Sequence, residues 1–216
     1  MFKPIYDFAL ILAAMVLSLS HASAQYEGYH LISDAGSLKK AFSTEANKIN
    51  SIKSVFKQEK SLSMLSEKIN SEGAFYFKRS NKIRIEYVKP FQYLLILNQG
   101  HALIRDEQKE TKIPAQASRA IRQVNQLLAD VMEGKILDNI EFSIRCFEKG
   151  ATYLLELTPR SKALSSIYQN INIFVDRKDF TVTSMEMLEK NGDKTVMKFV
   201  QKKFNADLPE SLFDTH

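Results

Sequence analysis

Residues 71–90 read S-E-G-A-F-Y-F-K-R-S-N-K-I-R-I-E-Y-V-K-P. The stretch alternates at period two, the mark of a sheet with one apolar and one wet face. Phe75, Phe77 and Arg79 share one face of a first strand. Ile83, Ile85 and Tyr87 share one face of a second, with Lys82, Arg84 and Glu86 opposite. A short polar turn joins the two, and Lys89-Pro90 ends the hairpin because proline cannot donate to a sheet ladder. Arg79 is the odd member. A guanidinium desolvated without a partner costs several kcal/mol, roughly, so the face is either open to water there or meets hydrogen-bond acceptors.

Outward from the hairpin the chain keeps to strands. On its N-terminal side, S-I-K-S-V-F-K-Q-E-K (51–60) alternates, and residues 34–50 have a helix pattern through Leu38, Ala41, Phe42 and Ile49, with Asp34 or Ser37 as the cap. On its C-terminal side, Tyr93–Leu97 is a continuous apolar run, predicting a strand covered on both faces. Asn98-Gln99-Gly100 turns, and His101–Asp106 returns. After Pro114 the period changes. Ile121, Val124, Leu128 and Val131 fit a helix that Gly134 ends. Strands resume at Ile140–Phe147, Thr152–Leu157, Ile171–Val175, Phe180–Leu188 and Thr195–Phe204, with a polar loop over 159–166. Asn191-Gly192 predicts a type I′ hairpin turn. About ten strands and two or three helices make a mainly β, α+β chain. Helices laid on one side of so many antiparallel strands predict a strongly curved sheet or incomplete barrel.

The first 24 residues have a different character. Lys3 gives a positive start, Phe8–Leu19 a short apolar run, and Ala22-Ser23-Ala24 an A-x-A cleavage pattern. This is expected to be a secretory signal peptide, leaving residues 25–216 as one domain. Thirty basic residues against 25 acidic ones give a net charge of +5, spread in mixed-sign company. No basic block points to nucleic acid. The lone Cys146 cannot form an intramolecular disulfide and sits beside Phe142 and Ile144 on an apolar face, so a buried, inert thiol is expected.

Enzyme signatures do not emerge. The histidines are His21, His30, His101 and His216, and they lack metal-ligand spacing. No G-x-S-x-G motif and no Gly-rich phosphate loop occurs among only seven glycines. What stands out is an apolar inner face built from Phe56, Phe75, Phe77, Ile83, Ile85, Tyr87, Phe142, Met185 and Met187. Such a face either fills a core or lines a cavity, and methionine and phenylalanine suit a cavity that takes flexible chains.

F-K-Q-E-K (56–60), E-G-A-F-Y-F-K-R-S-N (72–81), Lys89-Pro90, L-I-L-N-Q-G (95–100), L-E-L-T-P-R (155–160) and N-A-D-L-P-E-S-L-F (205–213) follow one another in an order and spacing that resemble the LolA family of periplasmic carriers of outer-membrane lipoproteins. The resemblance spans essentially the whole chain after residue 24. It implies an open antiparallel half-barrel with a helical lid over a hydrophobic cavity, with no catalysis, metal or cofactor. It implies cargo of acylated lipoproteins or lipids, an ATP-driven inner-membrane complex as donor, an outer-membrane acceptor, and a monomer in the periplasm. The family's lid-latching arginine falls on Arg79, and Phe75, Phe77, Ile83, Ile85 and Tyr87 would line the cavity. The chain departs from the pattern at Ser80, where the family usually has proline, and in having no tryptophan. Those departures motivate an alternative, a related carrier of another lipid or glycolipid, such as an aryl-polyene-type product.

Overall fold

The structure is a computed structural model that describes residues 26–65, 67–113 and 119–215. The expected signal peptide therefore lies outside the described residues. The chain divides into two compact units, 1–30 and 31–216. In the first, a turn is closed by Tyr29 N–H donating to the Tyr26 carbonyl at 3.1 Å. All that follows concerns the described residues from His30 onward.

Twelve antiparallel strands form one open sheet. In chain order they are β1 (His30–Leu31), β2 (Ser51–Ser61), β3 (Lys68–Lys78), β4 (Lys82–Lys89), β5 (Tyr93–Asn98), β6 (His101–Asp106), β7 (Glu110–Ile113), β8 (Phe142–Lys149), β9 (Thr152–Pro159), β10 (Tyr168–Asp176), β11 (Val182–Glu189) and β12 (Lys194–Phe204). The spatial order is β1-β8-β9-β10-β11-β12-β2-β3-β4-β5-β6-β7. Among the described residues three α-helices accompany them: α1 (Gly36–Ala46), α2 (Arg119–Met132) and the single turn α3 (Lys162–Ser165). The strands missing from the sequence reading, β1 and β7, are the two edges, and both are too short to show a period.

Registers follow the alternation. Ile52, Ser54 and Phe56 of β2 lie opposite Phe77, Phe75 and Gly73 of β3. Phe77, Phe75 and Gly73 in turn lie opposite Ile83, Ile85 and Tyr87 of β4. Gly73 is glycine for a reason of space. A Cβ there would fall 2.1 Å from the Glu86 carbonyl oxygen and 2.5 Å from the Phe56 ring, which folds over it. The β3–β4 register shifts between Glu72 and Gly73, so Val88 is the extra residue of a bulge and is exposed. Ser80 and Asn81, in the β3–β4 turn, take φ of 72° and 59°. Proline, held near −65°, cannot adopt the first of these.

Tyr93–Leu97 is covered on both faces, as its unbroken apolar run predicts. Leu97 packs inward with Phe77 and Ile83. Leu94 and Ile96 pack outward with Leu103, Leu208 and Phe213. The C-terminal segment is held over that outer face by polar ties: Lys78 Nζ to the Leu208 carbonyl at 2.8 Å, Arg84 Nη1 to Leu212 at 3.2 Å, and Asn98 Nδ2 to Phe213 at 2.9 Å.

On the inner side, α1 buries Leu38, Phe42 and Ala46, one face at i, i+4 and i+8. Its N-terminus differs from expectation: Ala35 occupies the cap, and the Asp34 carboxylate accepts from Gly36 N–H at 2.9 Å from one position further out. Helix α2 ends in a Schellman motif, with Lys135 N–H donating to the Asp130 carbonyl at 2.7 Å and Gly134 N–H to Val131 at 3.3 Å. Gly134 has φ of 71°, and a Cβ on it would sit 2.8 Å from Ala46 Cβ, Phe42 O and Ser43 Cα. The absent side chain lets the end of α2 rest directly on the last turn of α1.

Three local expectations fail for identifiable reasons. The β11–β12 connection is a three-residue loop, 190–192, and not a type I′ turn. Glu189 N–H donates to Asp193 O at 2.8 Å, Gly192 N–H to Glu189 O at 3.1 Å, and Gly192 takes positive φ while Asn191 does not. The loop over 159–166 contains α3, capped by Ser161, whose hydroxyl accepts from Leu164 N–H at 3.4 Å. Strand β8 begins at Phe142, and Ile140 is left 82% exposed.

Candidate functional site: an apolar cavity between the sheet and helix α2

Between the inner face of the sheet and α2 lies a cavity of about 160 Å³. Its floor comes from β2, β3, β4, β5, β10, β11 and β12, and its roof from Val124, Leu127 and Leu128 of α2 with Leu164 of α3. Alternation dictates the floor. Met185 pairs with Met197, Met197 with Gln58, and Ile85 with Leu95, so each inward position meets another across the ladder. Three methionines, Met185, Met187 and Met197, and two phenylalanines, Phe75 and Phe199, line it, and the methionines are side chains that repack at little cost.

The structure separates the nine apolar candidates into two groups. Phe75, Ile85, Tyr87, Met185 and Met187 line the cavity. Phe56, Phe77, Ile83 and Phe142 are sealed in the surrounding core. Sequence reasoning passed over the polar members of the wall, Gln58 and Tyr168, together with Met197 and Phe199. Parity held the signal for three of them: Gln58 is two residues beyond Phe56 on one strand, and Met197 and Phe199 are two apart on another.

One end of the cavity is polar. The Tyr87 hydroxyl donates to Gln58 Oε1 at 2.8 Å. Burial, and then the neighbouring Tyr93, push the Tyr87 phenol up to about 12, against a smaller opposing effect of the Gln58 hydrogen bond. Tyr168 is near enough to add to that rise. Its own phenol is raised by burial and by Glu189, which pairs with Lys60 at 3.1 Å. All three groups are neutral at ordinary pH. Phe56 meets Tyr87 edge-on, with ring centroids 4.8 Å apart.

Arg79 stands at the opposite end of β3. Its Nε donates to the Ile49 carbonyl at 2.8 Å and its Nη2 to the Ala46 carbonyl at 2.7 Å, with a longer contact of 3.4 Å to Asn47 Oδ1. Its main-chain N–H donates to Asn50 O at 2.9 Å. Ala46 is the last residue of α1, so the guanidinium meets a carbonyl at a helix C-terminus, where positive charge is favoured, one that also accepts from Ile49 N–H at 3.1 Å, and Ile49 itself lies in the turn just beyond. Three contacts thus run in series. Arg79 holds the end of α1, the end of α1 supports Gly134, and Gly134 ends the helix that roofs the cavity.

Nothing in the cavity is arranged as a nucleophile and base. Cys146 is buried, and burial pushes its thiol up to about 11. Among the described residues, no group of three or more His, Cys, Asp or Glu is placed to hold a metal ion. Among them, too, no helix is long and apolar enough to cross a membrane.

Residues 47–216 match the family model described as outer membrane lipoprotein carrier protein LolA. An outer-membrane lipoprotein carrier protein from Methylibium petroleiphilum is 25% identical over 152 residues, 68% of this chain and 69% of the relative. Two solved structures are similar. A LolA superfamily protein from Nitrosomonas europaea has a TM-score of 0.45 and 13% identity, covering 82% of this chain and 97% of its own. An outer membrane lipoprotein-sorting protein domain from Vibrio parahaemolyticus has a TM-score of 0.42 and 10% identity, covering 82% and 94%. With the family model spanning most of the sequence, from the end of α1 to residue 216, this chain belongs to the LolA family of outer membrane lipoprotein carriers.

Proposed function

We propose that the protein is a periplasmic carrier that shields the acyl chains of lipoproteins and shuttles them from the inner to the outer membrane. The observation that carries this reading is the apolar cavity roofed by α2, a helix whose seat on α1 depends on Arg79. At about 160 Å³ the cavity is smaller than the roughly 300–1,000 Å³ of pockets that hold drug-sized ligands. Taking in an acyl chain therefore requires α2 to lift. Arg79 acts as the latch of the closed state, and Phe75, Ile85, Tyr87, Met185 and Met187 receive the chain. Phe56, Phe77, Ile83 and Phe142 hold the shape of the wall behind them.

The energetics suit a shuttle. Each methylene withdrawn from water is worth about 0.8 kcal/mol, so acylated cargo needs cover across an aqueous compartment. Against a membrane the gain is near zero, because the chains already lie in hydrocarbon. Loading is then driven by an ATP-dependent inner-membrane complex, and release needs only an outer-membrane acceptor that binds the chains better. Residues 1–24 direct export and are removed by cleavage.

A second reading has the same cavity carrying another lipid or glycolipid. It is favoured by Ser80, whose φ of 72° gives the turn beside Arg79 a backbone that proline cannot form. Mass spectrometry of whatever co-purifies with the native protein tests both. Triacylated lipoproteins support the first reading, a defined glycolipid or pigment moves the function to the second, and recovery of neither across repeated preparations overturns the carrier role.

A further inference from the structure

The polar end of the cavity holds two hydrogen-bond donors that the fold leaves unused. Gln58 Oε1 accepts from the Tyr87 hydroxyl, which fixes the orientation of the amide and turns its Nε2 hydrogens away from Tyr87. Among the described residues those hydrogens meet no acceptor, and neither does the Tyr168 hydroxyl. Neither atom is among the buried side-chain atoms without a partner, so both remain open to the cavity or its mouth. Both side chains line the cavity, and everything else in its wall is apolar except Tyr87. An apolar pocket with a few convergent polar groups uses them to orient its ligand.

Resting on the carrier reading above, we propose that Gln58 Nε2 and the Tyr168 hydroxyl form a carbonyl-recognition site. It takes the ester or amide carbonyl that joins an acyl chain to its head group. The match is one of hydrogen-bonding type. Both groups donate, and a carbonyl oxygen has two lone pairs and no proton to give. A free carboxylate would also accept these bonds, but it would bring a full charge into a pocket whose ionisable members, the two tyrosines, are both held neutral by burial. A neutral ester or amide meets the same donors without that cost. The arrangement also sets polarity. The carbonyl stays at the Gln58–Tyr168 end, beside the Lys60–Glu189 pair, and the hydrocarbon runs inward under α2. The head group then remains outside, where its chemistry is not selected. The pocket so built accepts acyl esters and amides as a class and discriminates against plain hydrocarbon.

The test uses the purified protein loaded with methyl palmitate carrying a ¹³C-labelled carbonyl, and in parallel with hexadecane. Isotope-edited infrared spectra read the carbonyl stretch, and mass spectrometry reads lipid retention. In the wild type the bound ester's band is expected below its position in hexane, as hydrogen bonding requires. Tyr168→Phe should recover part of that shift, and Tyr168→Phe with Gln58→Met and Tyr87→Phe, the last removing the hydroxyl that loses its acceptor with Gln58, all of it, while hexadecane retention stays within about twofold. Ester retention should fall about fivefold for each donor lost. A retained ester with an unshifted band, or one whose shift survives in the triple variant, overturns the carbonyl site and leaves the carrier reading standing. Failure to retain either lipid overturns both.

Discussion

The guanidinium of Arg79 lies 2.7 Å from the carbonyl oxygen of Ala46, the residue that ends α1. A hydrogen bond from a charged donor contributes about 1.5–3 kcal/mol, less where solvent reaches it. Arg79 is half-buried and makes two short bonds, one to the last carbonyl of α1 and one to Ile49 in the turn beyond it. Removing them in Arg79→Leu should shift the lid equilibrium toward the open state by roughly ten- to a hundredfold. The variant is expected to load acylated cargo normally and to hand it on poorly, because closing no longer helps to expel the chains. Transfer from loaded protein to acceptor liposomes measures this. Wild-type transfer by the variant would remove the latch from the mechanism.

Gly134 transmits that hold to the roof, and its substitution should separate two costs. Gly150 also takes positive φ, but a Cβ there meets nothing within 4 Å. Gly150→Ala therefore reports the backbone cost alone, about 1 kcal/mol. Gly134→Ala adds contacts of 2.8 Å with the main chain of α1, and should lose about 1–3 kcal/mol more. Chemical denaturation compares the two. Uptake of a fluorescent apolar probe should rise only in Gly134→Ala, and equal losses with equal uptake would refute the coupling of the helices.

Ser80 offers a test of the turn that presents Arg79. At φ of 72° a side chain costs about 1–2 kcal/mol that glycine does not incur. Ser80→Gly should raise stability by up to about 1 kcal/mol, and Ser80→Pro should lower it by roughly 3 kcal/mol. A stable Ser80→Pro variant in a thermal melt would show that the turn has a second accessible conformation.

Acid should loosen the C-terminal segment. Hydrogen bonds from Lys78 and Lys82 hold the Glu210 carboxyl down to about 2, against an ordinary value of 4.5. A folded-state value below the unfolded one means that the unfolded chain binds the proton first as pH falls. The contribution is thus complete above pH 4.5 and lost on the way down to about 2. Urea titrations should show a gap between wild type and Glu210→Gln that narrows steadily over that window. A gap independent of pH would mean the two lysines do not act through the charge of Glu210.

The fold was legible wherever alternation had a long run to work with. Residues 71–90 announce a hairpin, and Tyr93–Leu97 a strand covered twice, because burial of one face or two leaves its mark on every second residue or on all. The edges were silent: Glu110–Ile113 is four residues with two charges. Asn191-Gly192 suggested the wrong turn because Asn tolerates positive φ without requiring it, and the pairing of Glu189 with Asp193 decides. The site was harder to read. Alternation puts Phe56 and Phe75 on one face, but only the separation of sheet and helix decides that Phe75 meets the cavity while Phe56 folds over Gly73. Gln58 and Tyr168 escaped because polar groups on an apolar face look like interruptions until their neighbours are known.

The C-terminal segment, tied across the outside of β3, β4 and β5, has a mechanical meaning. Leu208 and Phe213 give that part of the sheet a second core, one that owes nothing to whatever occupies the inner space. In the proposed carrier, the wall is braced from behind and keeps its curvature whether the vessel is full or empty. Compliance is left to the helical side, and a container that yields in one direction has its doorway chosen for it.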